Sequence, residues 1–222
     1  MNVSAKGLLF DNDGVIISSI ASVNRCWKLW TKHYGIEGWE SYVIPHGVRA
    51  TDIMKSLRSD FGPEQLAEGL RRIEDLEIAD VADLQVLPGV RVLLKSLPPE
   101  RWTIVTSATR RLLVGRLKAA DLPLPPRVIV GDEVVNGKPH PEPYIKGAAI
   151  LGFAPADCIV IEDAPSGVGA GVASGARVLG VLGTHEAHEL YAAGASWVVQ
   201  SLEMVTATLV GDELSLTLAA VL

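Results

Sequence analysis

Apolar residues fall in two rhythms along this chain. Short unbroken apolar runs recur, and between them lie longer segments whose apolar residues return every three or four positions. An unbroken run bounded by turn residues reads as a strand buried on both faces, and a 3–4 spacing reads as a helix with one buried stripe. The runs predict strands at Gly7-Leu8-Leu9-Phe10, 102–106, 127–130, 158–161, 178–182 and 197–199. The spaced segments predict a helix from Ser18 or Ser22 to about Tyr34, ended by Gly35. A short helix is expected from Thr51 or Asp52 to Leu57, and a longer one from Pro63 to about Ile78. Leu66, Leu70, Ile73 and either Leu76 or Glu77 give the longer helix its apolar face. Trp27, Trp30 and Tyr34 share a helical stripe and read as packing residues. Further helices are expected from Pro88-Gly89 to Leu97 and over 110–120, 141–151, 166–174 and 186–193, with a hairpin about Gly211-Asp212 near the end.

Between Ser18 and about Leu84 no strand is predicted, whereas from there on strand and helix alternate. Alternation of this kind builds a parallel sheet with helices on both faces. The expected fold is α/β: a Rossmann-like parallel sheet core, formed by residues 1–17 and 85–222, with a helical insert over 18–84 after the first strand.

In open parallel sheets ligands bind beyond the carboxyl ends of the strands. Asp11 and Asp13 follow the first strand, Thr106 and Ser107 the second, and Glu162 and Asp163 the run at 158–161. Each has an ordinary reading: solvated aspartates in a turn, or caps for the next helix. All three groups at one sheet edge point instead to a site. Four carboxylates gathered there would repel or protonate unless a cation joined them. A hard divalent ion with oxygen ligands fits, and Mg²⁺ suits a site that keeps waters and substrate oxygens. Thr106 and Ser107 offer donors for phosphate oxygens, and Lys138, in a proline-stiffened loop, a positive charge. An aspartate nucleophile, a second aspartate as acid, a metal and a lysine suit phosphoryl transfer. The glycines at 167, 169 and 171 do not make a dinucleotide loop, because Val172 stands where that fingerprint needs its third glycine.

The four motifs Asp11-Asn12-Asp13-Gly14-Val15, Thr106-Ser107-Ala108, Lys138-Pro139 within GKPHPEPY, and Glu162-Asp163-Ala164-Pro165-Ser166-Gly167 occur in order across nearly the whole chain. In this order the chain resembles the haloacid dehalogenase-like phosphohydrolases. Within that family His46-Gly47-Val48-Arg49 and GKPHPEPY are most similar to sugar-phosphate phosphatases such as the glycerol-3-phosphate and 2-deoxyglucose-6-phosphate enzymes. The resemblance implies that 18–84 is a small helical cap. It implies Asp11 as the nucleophile that becomes an aspartyl-phosphate and Asp13 as the acid and then base. It implies Mg²⁺ on Asp11, the Asp13 carbonyl and Asp163, with Glu162 direct or through water. Thr106, Ser107 and Lys138 would grip the phosphoryl group, and His46 and Arg49 would face the rest of the substrate. Two departures stand out. Ile17-Ser18-Ser19 replaces an acidic residue that many relatives carry after the first motif. Val23 falls where the related β-phosphoglucomutases place a cap histidine, and valine moves no proton, so hydrolysis is favoured over isomerisation.

The net charge of −6 argues against a nucleic-acid surface but admits a small anionic substrate. Cys26 and Cys158 form no disulfide or metal pattern and read as core residues. The start of the chain lacks a leader's apolar segment, and no stretch is long and apolar enough to span a bilayer. A soluble cytoplasmic protein, monomeric or a weak homodimer, without nucleic-acid or membrane partners, is therefore expected. A phosphosugar mutase, a dehalogenase and a non-catalytic phosphate-ligand-binding protein are the competing readings. The retained Asp13 argues against the dehalogenase, and the full set of Asp11, Asp13, Lys138 and Asp163 against the binding protein.

Overall fold

The computed structural model describes residues 1–222. A short β1 (Asn2–Ala5) leads into β2 (Gly7–Phe10), every residue of which is buried. β3 (Ile17–Ser18) is followed by α1 (Ile20–His33), α2 (Ala50–Leu57) and α3 (Pro63–Ala79), and β4 (Gln85–Val86) returns to pair antiparallel with β3. Then come α4 (Val90–Ser96), β5 (Trp102–Ile104), α5 (Arg110–Ala119), α6 (Glu142–Leu151), β6 (Cys158–Glu162), α7 (Pro165–Ala173), β7 (Arg177–Val181), α8 (Ala187–Ala192) and β8 (Trp197–Val199). β9 (Val205–Val210) and β10 (Glu213–Leu218) form the C-terminal hairpin.

The central sheet is parallel throughout, in the order β5-β2-β6-β7-β8. Successive side chains of a strand point to opposite faces, and both faces here are apolar. Leu8, Phe10, Ile104, Ile159, Ile161 and Leu179 join the core shared with α4 and α5. Leu9, Val160, Val178 and Val198 join the other, where Tyr144, Ala148, Val168 and Leu190 come from α6, α7 and α8. Burial on both sides is why these strands read as unbroken runs rather than as alternation. Cys158 belongs to the second core and Cys26 to the core of the insert, and both thiols are free.

Two strand expectations change. The run Arg127–Val130 is not a strand: it meets the sheet through one bridge, Val105 to Ile129, although Val128, Ile129 and Val130 are buried. Pro125 and Pro126 before it lack backbone donors, and a tight turn over Gly131–Glu133 ends it. β1 was not expected, because Asn2-Val3-Ser4-Ala5 carries too little pattern. It becomes a strand by pairing antiparallel with β10, Val3 opposite Leu216, in a three-stranded sheet of order β1-β10-β9.

The three helices of the insert enclose their own core of Trp27, Trp30, Ile53, Met54 and Ile73. Trp30 and Tyr34 pack with ring centroids 4.4 Å apart, so this aromatic stripe is packing. Gly35, at φ 67°, lies just beyond the end of α1. The residue capping α1 is Ser19 rather than Ser18 or Ser22, and its hydroxyl donates to Asp13 Oδ1 at 3.2 Å instead of accepting from the helix. No helix is long and apolar enough to cross a membrane.

Candidate active site

The carboxyl ends of β2, β5 and β6 meet at one edge of the sheet, and there the polar residues gather. Asp11 leaves β2 with its amide bonded to the Ile161 carbonyl, so the chain is still in sheet register when the first carboxylate appears. Gly14, at φ 90°, then turns the backbone away. A Cβ on Gly14 would lie 1.9 Å from Asp163 Oδ2, so no other residue lets the two loops approach this closely.

Lys138 is buried and serves as a hub. Its ammonium donates to Asp11 Oδ1 at 2.7 Å, to Glu162 Oε1 at 2.6 Å and to the Val105 carbonyl at 3.1 Å. Three protons thus meet three acceptors. Burial alone would lower its pKa, but Asp11 and Glu162 overcome this and hold it above the usual lysine value. Glu162, with no exposed surface, is saturated. Its Oε1 also accepts from the Tyr144 hydroxyl at 2.6 Å, and its Oε2 from the amides of Asp163 and Ala164 at 3.0 and 3.3 Å. Asp163 Oδ2 accepts from the Thr184 hydroxyl at 2.6 Å.

Carboxylate oxygens of Asp11, Glu162 and Asp163 lie within 4.8 Å of one another. Burial, opposed by Lys138, raises the Asp11 pKa well above the usual range. Burial and then Glu162 push Asp163 up to about 7. One lysine for three buried carboxylates leaves negative charge unbalanced. Asp11 Oδ2 and Asp163 Oδ1 are the two carboxylate oxygens with no hydrogen-bond partner. An oxygen-lined, electron-rich corner of this kind fits a hard divalent cation. Glu162, with both oxygens engaged, fits a role through water better than direct ligation.

Beside this corner opens a cavity of about 110 Å³. Asp11, Asp13, Thr106 and Ser107 line its floor, and Ile20, Val23, Trp27, Ile44, His46 and Ile53 of the insert line its roof. Burial, and next His185, lower the His46 pKa against the pull of Asp13. Thr106 Oγ1 accepts from the Ala108 amide at 3.1 Å, which leaves its own proton free. The Ser107 hydroxyl donates to the Gly47 carbonyl at 2.8 Å, and its backbone N–H has no backbone partner.

Arg49, expected to face substrate, is turned away from the cavity. Its guanidinium is bidentate on Asp52, at 2.7 and 3.0 Å, and Nη1 donates to the carbonyls of Val134 and Val135. A neighbouring carboxylate three residues along α2 takes the fork that a substrate anion would need.

Sequence reading missed Arg116, Glu74, Glu77, Tyr144 and Thr184 as site residues. Arg116 Nη1 donates to Asp13 Oδ1 at 2.5 Å and Nη2 to Glu77 Oε2 at 2.6 Å. A signal was present: Arg116 falls on the buried stripe of α5 with Leu112, Leu113 and Leu117, and Glu74 and Glu77 share that of α3 with Ile73. A charged residue on a buried stripe needs a partner.

Burial, against Arg116, pushes the Glu77 carboxyl up to about 7. The folded protein therefore binds this proton more tightly than the unfolded chain, whose glutamate titrates at about 4.3. Stability from Glu77 is full below about 4.3 and is lost as pH rises through about 7, at no more than roughly 1.4 kcal/mol per pH unit. Urea unfolding of the wild type and of Glu77→Gln from pH 5 to 8 is expected to show a steeper fall in the wild type. Parallel pH dependences would refute it.

Comparison with known proteins accords with this geometry. Residues 8–181 match the family model described as haloacid dehalogenase-like hydrolase. The chain belongs to the haloacid dehalogenase-like hydrolases. The match spans both the insert and the strand ends that carry the carboxylates. Hexitol phosphatase A of Escherichia coli (strain K12) is 34% identical over 205 residues, covering 91% of this chain and 94% of that protein. Glycerol-1-phosphate phosphohydrolase 1 of Saccharomyces cerevisiae is 30% identical over 215 residues, covering 92% and 86%. Among solved structures, a hydrolase from Pseudomonas syringae superposes with a TM-score of 0.76 at 24% identity, covering 88% of this chain and 94% of that one. A β-phosphoglucomutase from Clostridium difficile gives 0.74 at 20% identity, with 89% and 92% covered. At such identities the superpositions show a shared fold, and this haloacid dehalogenase-like hydrolase has it over 88–89% of its length.

Proposed function

We propose that this hydrolase is a phosphoric monoester hydrolase that removes phosphate from small sugar or polyol phosphates, through an aspartyl-phosphate at Asp11 and with Mg²⁺ bound. The observation that carries the reading is the placement of Asp11 and Asp13 on the floor of one cavity, with Lys138, Glu162 and Asp163 behind Asp11. The relatives named for hexitol and glycerol 1-phosphate hydrolysis support the substrate class. Residues 18–84 are the cap and 1–17 with 85–222 the core, and the β3–β4 pair lies where the cap joins.

In the first step Asp11 attacks phosphorus as the P–O bond to the sugar breaks, and the Asp13 carboxyl protonates the departing oxygen. In the second, water attacks phosphorus, Asp13 takes its proton, and the P–O bond to Asp11 breaks to release phosphate. Lys138 steadies the charge on Asp11 and the phosphoryl oxygens. The Thr106 hydroxyl and the Ser107 amide donate to those oxygens. Asp11, Asp163 and the Asp13 carbonyl would hold the metal, with Glu162 acting through water; bound there, a divalent ion supplies positive charge for the phosphoryl oxygens. His46 contacts the rest of the substrate, whereas Arg49 braces α2 against the 134–135 loop.

Phosphate release over a panel of sugar phosphates, polyol phosphates and phosphoglycolate tests the reading. Release from polyol or sugar phosphates is expected, to stop on chelation of divalent ions and to resume with Mg²⁺. Inertness to the whole panel would overturn the phosphatase, and indifference to a strong chelator would remove the metal. Val23 lines the roof and moves no proton, so glucose 1-phosphate is expected to give free phosphate. Glucose 6-phosphate without free phosphate would make the protein a mutase.

A further inference from the structure

None of the four motifs accounts for Arg116. Its side chain, 5% exposed, reaches from α5 of the core to two carboxylates on different segments. One is Asp13, on the loop after β2, and the other is Glu77, on α3 of the insert. The second oxygen of Glu77 accepts from Trp27 Nε1 at 3.0 Å, so the chain of contacts runs from α1 through α3 and α5 to Asp13. A parallel pair of contacts seats α3 on α5 one turn away: Thr109 and Arg111 both donate to Glu74.

Asp13 has three side-chain donors. Arg116 and Ser19 both bond Oδ1, while Asn12 Nδ2 donates to Oδ2 at 3.1 Å. Ser19 and Asn12 are neutral neighbours in sequence. Arg116 is charged and planar, and a charge-assisted bond is about twice as strong as a neutral one. Its orientation is set from the far side, because Nη2 is held by Glu77.

We propose that Arg116 is a positioning residue for Asp13, anchored by Glu77, so that the acid is aimed only while α3 rests on α5. Arg116 Nη1 and Ser19 fix Oδ1, so Oδ2, which accepts only from Asn12, is the oxygen that exchanges a proton with the leaving group. Docking of the insert and readiness of the acid become one event. The inference rests on the reading of Asp13 as acid and base. It goes beyond that reading by giving a residue outside the motifs a part in the first step.

The test uses two substrates that differ in their need for a proton. The alkoxide leaving from glycerol 1-phosphate must be protonated, whereas 4-nitrophenolate leaves without help. The ratio kcat/KM covers only the steps through the first phosphoryl transfer when that step is irreversible, so the later role of Asp13 with water does not enter. Arg116→Ala is expected to lower kcat/KM for glycerol 1-phosphate by about 10²-fold, the lower end of acid catalysis, and that for 4-nitrophenyl phosphate by less than about 5-fold. Glu77→Gln should show the same contrast, about 10-fold against little change, since it loosens the anchor and leaves Asp13 untouched. Arg116→Lys should recover part of the loss, because an ammonium reaches one carboxylate but not both. Lys and Gln are close in size to the residues they replace, and they carry the comparison if Arg116→Ala does not fold. Equal losses on both substrates in the Arg116 and Glu77 variants would overturn the proposal and make the network a docking contact only. Asp13→Asn separates the two layers: it must itself show the contrast. If it depresses both substrates alike, the acid reading fails and the inference falls with it. If it discriminates and the Arg116 variants do not, only the inference fails.

Discussion

Asp11→Asn is expected to lower kcat by about 10⁴-fold or more while the protein stays folded, since an amide cannot form the acyl-phosphate and the alternative is direct attack by water. The size of the effect follows from where Asp11 sits. Lys138 fixes its carboxylate through Oδ1, and the residue lines the cavity where the phosphoryl group would lie. The folded state should tolerate the change, because the carboxylate already suffers from burial and from Glu162 and Asp163. Asparagine keeps the shape, removes that charge and can still accept from Lys138. Steady-state turnover, with near-UV circular dichroism and a thermal melt, checks both halves. Turnover within about 10-fold of wild type would exclude covalent catalysis at Asp11. A large loss accompanied by unfolding would instead assign Asp11 a structural part.

Lys138→Met is expected to hurt both stability and activity. Removing one partner from a buried ionic cluster leaves charge uncompensated and costs about 3–5 kcal/mol. Here the cluster is one lysine against Asp11 and Glu162, with Asp163 adjacent, and none of the four is more than 4% exposed. Loss of a preorganised positive group beside the phosphoryl oxygens should lower kcat by about 10²–10³-fold as well. Lys138→Arg separates charge from fit. The ammonium's three protons are matched to Asp11, Glu162 and the Val105 carbonyl, and a planar guanidinium cannot copy that arrangement in a site with no spare room. Arginine should therefore recover part of the stability and little of the activity. Urea unfolding together with kcat measures this. A Met variant as stable as the wild type would mean that the carboxylates solve their repulsion without Lys138.

These two effects differ from that at Arg116 in the distance over which they act. Asp11 and Lys138 sit at the sheet edge, bonded to each other at 2.7 Å, where the proposed reaction takes place. Arg116 touches Asp13 and is tied to Glu77 of the insert. On the proposed reading, one buried side chain makes the chemistry at Asp13 depend on the seating of the insert. Tyr144 and Thr184 play a quieter part. The first holds Glu162 Oε1 and the second Asp163 Oδ2, so each limits which oxygen of its carboxylate remains available.

Much of the fold was legible as pattern. β2, β6 and β7 are buried on both faces, so their apolar runs carried no ambiguity about period or partner. Two of the helices with Pro near the start, α3 and α6, begin close to where that residue places them. The segment 127–130 has the composition of a strand, but Pro125 and Pro126 before it and the turn at Gly131–Glu133 after it limit its pairing to one bridge. β1 has the pairing of a strand but not the composition, because its partner lies more than two hundred residues away.

The chain by itself determined which residues meet at the sheet edge. A parallel sheet sends every strand's carboxyl end to the same side, so placing Asp11, Asp13, Thr106, Ser107, Glu162 and Asp163 after strands placed them together. What only the tertiary structure decided is which of their oxygens are occupied and by whom. Glu162 is saturated by Lys138, Tyr144 and two amides; Arg49 is bound to Asp52 and faces away; Arg116 joins Asp13 to Glu77. Periodicity reports the face on which a side chain lies. A hydrogen bond between segments distant in sequence depends on how two helices cross, and no local pattern encodes that angle.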